Sequence, residues 1–359
     1  MTSLPDRAIV STVGTNRFAD QTPTITDVAA ASGVSVTTVS HALSGRRPVS
    51  PATQRKVQDA VTALGYRPNQ LARSMRTQKS MTIALVIPDI TNPFYPEVAR
   101  GVQDLLSANG YQLFICNTDG NVDAERAYLA DAIDRRVDGV IVAPIAPSDK
   151  TSIAAVLAAE IAVVQLAADL NAGARAASDS MIDYVHSDDR RGTAMATAYL
   201  LDKGHSRIGF INGPLDTGPA GRRQAGYLDA LTERNIEPDK ALIVSGPFTR
   251  VGGLNGLPKL LDHSSPPTAV ICANDLIAIG ALDVAHHRGM AVPDDIAIVG
   301  FDDIEAASLV SPPLTTVVNP AREIGHACAR LLLDRISGSY DSAAREVLIS
   351  TTLIPRASA

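Results

Sequence analysis

Twenty residues near the amino terminus, TITDVAAASGVSVTTVSHAL from Thr24 to Leu43, restrict the fold more than any other stretch. Their spacing predicts two short helices joined by a tight turn. Thr24 is placed as an N-cap, and Asp27 three residues on brings an acid to the first turn. Ile25, Val28 and Ala29 recur on one apolar face of a helix ending near Ser32. Gly33 opens the turn, where a residue free to take positive φ is needed. Ser35 caps the second helix, whose Val39 and Leu43 face a core. Val36, Thr37, Thr38, Ser40 and His41 are left outside. A purely solvated face would favour Glu and Lys. Short β-branched and hydroxyl side chains with one His suit base edges, where Thr can donate, accept or pack on a thymine methyl. An ordinary helical hairpin is the alternative this stretch leaves open.

The next residues narrow that choice. Arg46-Arg47-Pro48 make a basic loop, Ser50 caps a third helix and Pro51 takes its first position. Val57, Val61 and Leu64 give this helix an apolar stripe, and Gly65 stops it. The 359-residue chain carries a formal net charge of −6, which by itself speaks against nucleic acid. The charge is unevenly spread, however. Between Pro23 and Lys79 stand the eight bases Arg46, Arg47, Arg55, Lys56, Arg67, Arg73, Arg76 and Lys79, against only Asp27 and Asp59. Such a local excess is the electrostatic footprint that binding to phosphate requires.

The three cysteines, Cys116, Cys272 and Cys328, lie in apolar segments without C-x-x-C spacing and read as buried reduced thiols. Residues 1–22 contain no sustained apolar run and read as a disordered extension, not a signal peptide. No stretch approaches a membrane span, so the cytoplasm is expected and no membrane partner is. From about residue 81, apolar strand-like runs alternate with helix-length stretches: 83–88, 111–117, 139–144, 162–166, 207–212, 242–245, 269–273 and 296–301. Alternation at this spacing predicts parallel sheets covered by helices, with ligands at the carboxyl ends of the strands.

With D-V-A (27–29), G-V-S (33–35), T-V-S-H (38–41), V-S-P-A-T-Q (49–54) and G-Y-R-P-N-Q-L-A-R-S-M-R (65–76), the chain resembles the LacI/GalR family of bacterial repressors. N-P-F-Y-P-E-V-A-R-G (92–101), G-H-S-R-I-G-F-I-N-G-P (204–214), R-Q-A-G-Y (223–227), A-N-D-L-I-A-I-G-A-L (273–282), V-G-F-D-D (299–303) and S-P-P-L-T-T-V (311–317) resemble the periplasmic-binding-protein fold of that family's core. The resemblance runs from about Thr24 to Arg356. It implies an α/β chain: an N-terminal all-α helix-turn-helix DNA-binding domain (23–66), a hinge helix or linker (67–79) and a two-lobed periplasmic-binding-protein-like core of parallel sheets (80–359). Lobe one would take about 80–186 and 319–342, and lobe two about 187–318 and 343–359, joined by three crossovers. The expected activity is that of a dimeric transcriptional regulator, most simply a repressor, on a palindromic operator of double-stranded DNA. A dimer presents one recognition helix to each half-site.

Bases are expected to be read by Val36, Thr37 and His41, with Thr38 beside them. Thr24, Ser35, Ser50, Arg55 and Tyr66 suit phosphate contact or capping, which positions without specifying. In relatives the hinge folds on DNA and a Leu wedges between central base pairs. Here Asn69, Leu71, Ala72 and Met75 occupy the hinge, with Met75 at the wedge position.

The family's effector-contacting positions fall on Phe94, Tyr95, Arg223, Phe248, Asn274 and Asp302. Aromatic faces stack on a sugar ring or base, and Arg, Asp and Asn fix hydroxyls or ring nitrogens directionally. Phe248 could equally be loop packing, and Asn274 and Asp302 could be capping residues. Asp275 and Asp303 read as caps, and Arg222 as a solvated neighbour of Arg223. Many relatives place an Asp just after the fourth strand, where this chain has Gln165-Leu166-Ala167-Ala168, with Asp169 the nearest acid. Ala143 stands where ribose-type proteins often carry Asn. A carbohydrate or sugar phosphate is the favoured effector and a purine base the alternative. No cofactor is expected. G-x-x-x-x-G-K-[ST], H-E-x-x-H and G-x-S-x-G are all missing, and His286-His287 and His205 read as surface and turn residues, so an enzyme is not expected. The competing class is a solute-binding or sensor protein whose N-terminal helices contact proteins. A family member answering to a partner protein is a further alternative.

Overall fold

The computed structural model describes residues 23–45, 47–67, 79–144, 150–166, 181–215 and 218–359. The chain divides into two compact units, ending at Gln78 and beginning at Lys79. In the first unit, helices α1 (Ile25–Ser32), α2 (Val36–Ser44) and α3 (Pro51–Leu64) each end on a glycine in the left-handed region, Gly33, Gly45 and Gly65. Thr24 and Asp27 form a reciprocal capping box, so the hydroxyl of Thr24 is engaged with the Asp27 carboxylate. That bonding holds the exposed Asp27 carboxyl below its usual range. Ser35 and Ser50 cap the next two helices through the amides of Thr38 and Thr53. Val28, Val39 and Val57 meet at the centre of a small core. Gln54 donates to the Ala42 carbonyl and ties α3 to α2.

The second unit runs β1 (Thr82–Ile87), α4 (Phe94–Ala108), β2 (Gln112–Asn117), α5 (Val122–Asp134), β3 (Gly139–Val142), α6 (Lys150–Ala158), β4 (Ala162–Leu166) and β5 (Ile182–Ser187). There follow α7 (Asp189–Asp202), β6 (Ile208–Asn212), α8 (Gly218–Glu233), β7 (Ile243–Ser245), α9 (Arg250–Leu261), β8 (Ala269–Cys272), α10 (Asp275–His287), β9 (Ala297–Asp302) and α11 (Glu305–Leu309). The chain closes with β10 (Thr315–Val318), α12 (Ala321–Ser337), β11 (Glu346–Ile349) and β12 (Thr352–Ile354).

Two six-stranded sheets result, in the orders β11-β5-β4-β3-β1-β2 and β12-β10-β9-β8-β6-β7. Every described pairing is parallel except β12 against β10. Parallel strands covered on both faces must be apolar throughout, and β1, β3, β8 and β9 are almost wholly buried. The chain passes between sheets after β5, after β10 and between β11 and β12. The sequence places residues 343–359 in the second lobe. Glu346–Ile349 pairs instead with β5 of the first sheet, and only Thr352–Ile354 belongs to the second.

Helices cover the sheets in backbone-tight pairs. A Cβ on Gly101 would lie 2.1 Å from the Arg322 carbonyl oxygen, and one on Gly325 2.1 Å from that of Val98. α4 and α12 therefore touch main chain to main chain. Cys272 and Cys328 are buried, whereas Cys116 is partly exposed on edge strand β2, contrary to its reading as a core thiol. No helix among the described residues is long and apolar enough to cross a membrane.

Candidate functional site

The carboxyl ends of both sheets converge on a cavity of about 560 Å³. Each strand end feeds it as the topology requires. Asp89 follows β1, Leu166 ends β4 and Asp189 follows β5; from the second sheet come Phe248 after β7, Asn274 after β8 and Asp302 at the end of β9. All six residues expected at the effector positions line this one cavity.

Arg223, on α8, is its electrostatic centre. The side chain is buried, and Nε donates to Oδ1 of Asp189 at 2.8 Å. Nη1 donates to the Ala273 carbonyl, Nη2 lies 3.6 Å from Oδ1 of Asp302, and the guanidinium lies 3.8 Å from the centre of the Phe301 ring. Arg222 is not the solvated neighbour read from the sequence: Nη2 pairs with Oδ2 of Asp189 at 2.9 Å. A fully buried carboxylate in reach of two guanidiniums draws both of them inward.

Asp302 has φ 114°, a backbone region that non-glycine residues rarely adopt. Asn319, just past β10, donates from Nδ2 to Oδ1 of Asp302 at 3.0 Å. Burial pushes the Asp302 carboxyl up to about 6, against the downward pull of Arg223 and Asn319. Burial likewise raises the Tyr95 hydroxyl, and the Asp302 charge adds to the shift. Phe94 and Tyr95 meet edge to face at 5.2 Å on the first lobe's side.

For Asn274 and Phe248 both roles read off the sequence hold at once, while Asp275 and Asp303 depart from theirs. Asn274 is spent twice: Oδ1 caps α10 through the Ile277 amide, and Nδ2 donates to the Phe248 carbonyl. Asp275 is not a cap; it accepts from the Ile304 amide and the Thr316 hydroxyl and so ties the start of α10 to β10 and to the segment after β9. Burial raises its carboxyl well above the ordinary range, with Asp302 adding to the effect. Asp303 pairs with Arg356 at 2.6 Å instead of capping. Phe248 packs where a Gly213 side chain would stand, so loop packing and cavity lining are the same position. Asp189 and Asn319 line the cavity as well, and the sequence does not mark them. Each lies at a crossover, and no local pattern marks a partner more than fifteen residues away. Ala143 and Leu166 line the first-lobe wall, while Ala167, Ala168 and Asp169 lie outside the described residues.

On α2, Val36 and Thr37 are exposed and His41 half-exposed. Thr38 and Ser35 share a 2.8 Å hydroxyl contact. Arg55 is exposed on α3, and Tyr66 packs partly against the helical core. Arg46 and the hinge positions Asn69, Leu71, Ala72 and Met75 lie outside the described residues, as do 1–22.

Residues 24–69 match the family model for bacterial regulatory proteins of the lacI family, and residues 197–359 that of the periplasmic binding protein-like domain. Over 314 residues the chain is 37% identical to the HTH-type transcriptional repressor PurR of Vibrio atlanticus, covering 87% of this chain and 92% of that protein. It is 36% identical over 314 residues to the ribose operon repressor of Escherichia coli, covering 88% and 93%. The crystal structure of the lac repressor dimer bound to operator and the anti-inducer ONPF matches with a TM-score of 0.81 at 26% identity, over 94% of this chain and 98% of that one. The chain belongs to the LacI family of bacterial regulatory proteins.

Proposed function

We propose that this protein is a transcriptional repressor that occupies a palindromic operator as a homodimer, and that a small carbohydrate-class effector in the interlobe cavity sets its operator affinity. Val36, Thr37 and His41 read base edges, while Arg55 and the capped helix starts at Ser35 and Ser50 hold phosphates. The observation that carries the regulatory half is the cavity itself. Aromatic residues of the first lobe, Phe94 and Tyr95, face Arg223 and Asp302 of the second across a space bounded by the crossovers. A molecule touching both sides has different contacts in open and closed arrangements, which is what shifts an equilibrium. The ribose operon repressor and the lac repressor among its relatives agree with a sugar effector. The protein works as a regulator and not an enzyme, in the cytoplasm where its DNA is.

The test is fluorescence anisotropy on DNA from upstream of its own gene, with a salt titration, repeated with sugars and free nucleobases. A steep fall in affinity with salt and a response to one sugar are expected. Absence of preference for any upstream duplex over random DNA would return the solute-binding reading.

A further inference from the structure

We propose that α2 reads pyrimidine 5-methyl groups: Val36 packs on the C5-methyl of one thymine in each half-site, and operator occupancy follows methylation at that pyrimidine. This rests on the operator reading above and narrows it.

The first observation is what α2 lacks. Its sequence, VTTVSHALS, holds no Arg, Lys, Asn, Gln, Asp or Glu. Those side chains make the strong base contacts of the major groove: Arg or Lys to guanine, Asn or Gln to adenine, Asp or Glu to cytosine. The exposed cations described in this unit, Arg47, Arg55, Lys56 and Arg67, all stand outside α2. There they suit phosphate, which carries no sequence information. Thr38 is withdrawn as well, because its hydroxyl shares a 2.8 Å contact with that of Ser35. The Ser44 hydroxyl is spent on the Ser40 carbonyl. Discrimination by this helix is left to Val36, Thr37, Ser40 and His41.

The second observation is Val36 itself. Among the described residues it is the one large apolar side chain of the first unit that stands exposed, at 42%, whereas Val28, Val39 and Val57 are buried in the core. It is the first residue of α2, directly after the Ser35 cap. The amino-terminal residues of a recognition helix are the ones that meet base edges. Valine has no polar atom in its side chain. Set against a base donor or acceptor, it would strip that group of water and return nothing. The thymine methyl is the apolar group of the major groove, and contact with it removes apolar surface from water on both sides. Thr37 is exposed beside it. Its hydroxyl both donates and accepts, so it suits O4 of thymine or the N4 amino group of cytosine equally. The pair therefore separates methyl from no methyl more sharply than thymine from 5-methylcytosine.

The experiment is fluorescence anisotropy of the full chain on its preferred upstream duplex, with each thymine replaced in turn by deoxyuridine, which removes the methyl and nothing else. One thymine per half-site should stand out, with a loss of about fourfold from one half-site and about fifteenfold from both, the worth of one buried methyl in each. At that position 5-methylcytosine should bind more tightly than cytosine by a similar factor. Val36→Ala leaves the core untouched. It should bind the thymine duplex about as the parent protein binds the uracil duplex, be nearly indifferent to either methyl, and keep its affinity for random DNA. A preferred duplex that no uracil weakens overturns the methyl assignment and leaves the operator reading standing. A full uracil penalty retained in Val36→Ala gives the methyl to another residue and overturns the role of Val36. Equal weakening of Val36→Ala on preferred and random duplexes overturns it too, because a base-reading contact is lost only on the preferred one. Absence of preference for any upstream duplex removes the operator reading and this proposal together.

Discussion

Asp302 concentrates the cavity's electrostatics in one side chain. Its carboxyl is raised to about 6 by burial, above the roughly 3.9 of an unfolded chain, so the native state holds the proton more tightly between those values. The sign follows from linkage. This group's contribution to stability is complete at low pH and is lost as pH rises through about 6. For a sugar effector, binding should run the other way, because its hydroxyls would donate to the ionised form. Titrations from acid to neutral pH should show affinity falling below about 6, and Asp302→Asn should flatten that profile; a flat profile in the parent protein would refute it. Arg223 needs different handling. Arg223→Ala leaves Asp302 buried without its cation and Asp189 with Arg222 alone, and should cost about 3–5 kcal/mol in urea unfolding. Lost regulation in that variant would therefore say little about the ligand. Phe248→Ala, which strips ring area and no charge, is the cleaner probe of effector contact. On the DNA side, His41→Ala should cost about 1–3 kcal/mol on the cognate site and relax preference at one base pair per half-site. Equal loss on random DNA would make it a phosphate contact. The sequence shows the residue types that line the cavity, since strand-end motifs carry them. It does not show Asp189 gripping Arg223 across 34 positions, because such a partnership leaves no local trace.

At the scale of elements, glycines decide how closely the covering helices approach. Two of the three glycines in α8 have opposite roles. Gly226 packs against α7 so tightly that a Cβ would lie 1.9 Å from the Arg190 carbonyl oxygen, whereas one on Gly221 would meet nothing within 4 Å. Gly226→Ala must push two main chains apart and should destabilise by about 1–3 kcal/mol. Gly221→Ala only gains helix propensity and should stabilise by up to about 1 kcal/mol. Chemical denaturation of the two variants side by side checks this; a loss at both positions would mean that Gly221 is held by something other than open space. Helices and caps of the first unit are legible in advance because N-cap, apolar period and terminal glycine agree. β5 is not. Its sequence IDYVHS puts Asp183 and His186 into a wholly buried strand, which breaks the apolar run. The structure resolves the conflict with partners from the distant carboxyl-terminal segment. Arg335 and Arg345 both pair with Asp183 at 2.7 Å, and Glu346 with His186 at 2.9 Å. Burial alone would raise the Asp183 carboxyl, but the bonds from the two arginines outweigh it and hold it below the usual value.

For the whole molecule, the three crossovers are where occupancy of the cavity can become a change in the core. Short strands there carry too little pattern to read, which is why β11 and β12 could not be divided between the lobes from sequence. The structure shows them tied together. The Asp188 amide donates to the Ile349 carbonyl at 2.9 Å, and the Thr351 hydroxyl donates to the Asp188 carbonyl at 3.1 Å, joining the first crossover to the third. Asn319 joins the second to Asp302. An effector alters operator affinity only by its differential affinity for the two arrangements, typically by about 1–3 kcal/mol, and the operator must alter effector affinity by the same factor. Thr351 is buried and does not line the cavity. Thr351→Val keeps its shape and removes one net hydrogen bond, about 1 kcal/mol. If the tie helps to set the balance between arrangements, this variant should bind effector in the absence of DNA nearly as the parent does. The ratio of operator affinities with and without effector should nevertheless change. Measuring both affinities, each with and without the other ligand, closes the cycle. An unchanged ratio would exclude the crossover tie from the switch, and a large loss of effector affinity without DNA would mean that Thr351 shapes the cavity itself.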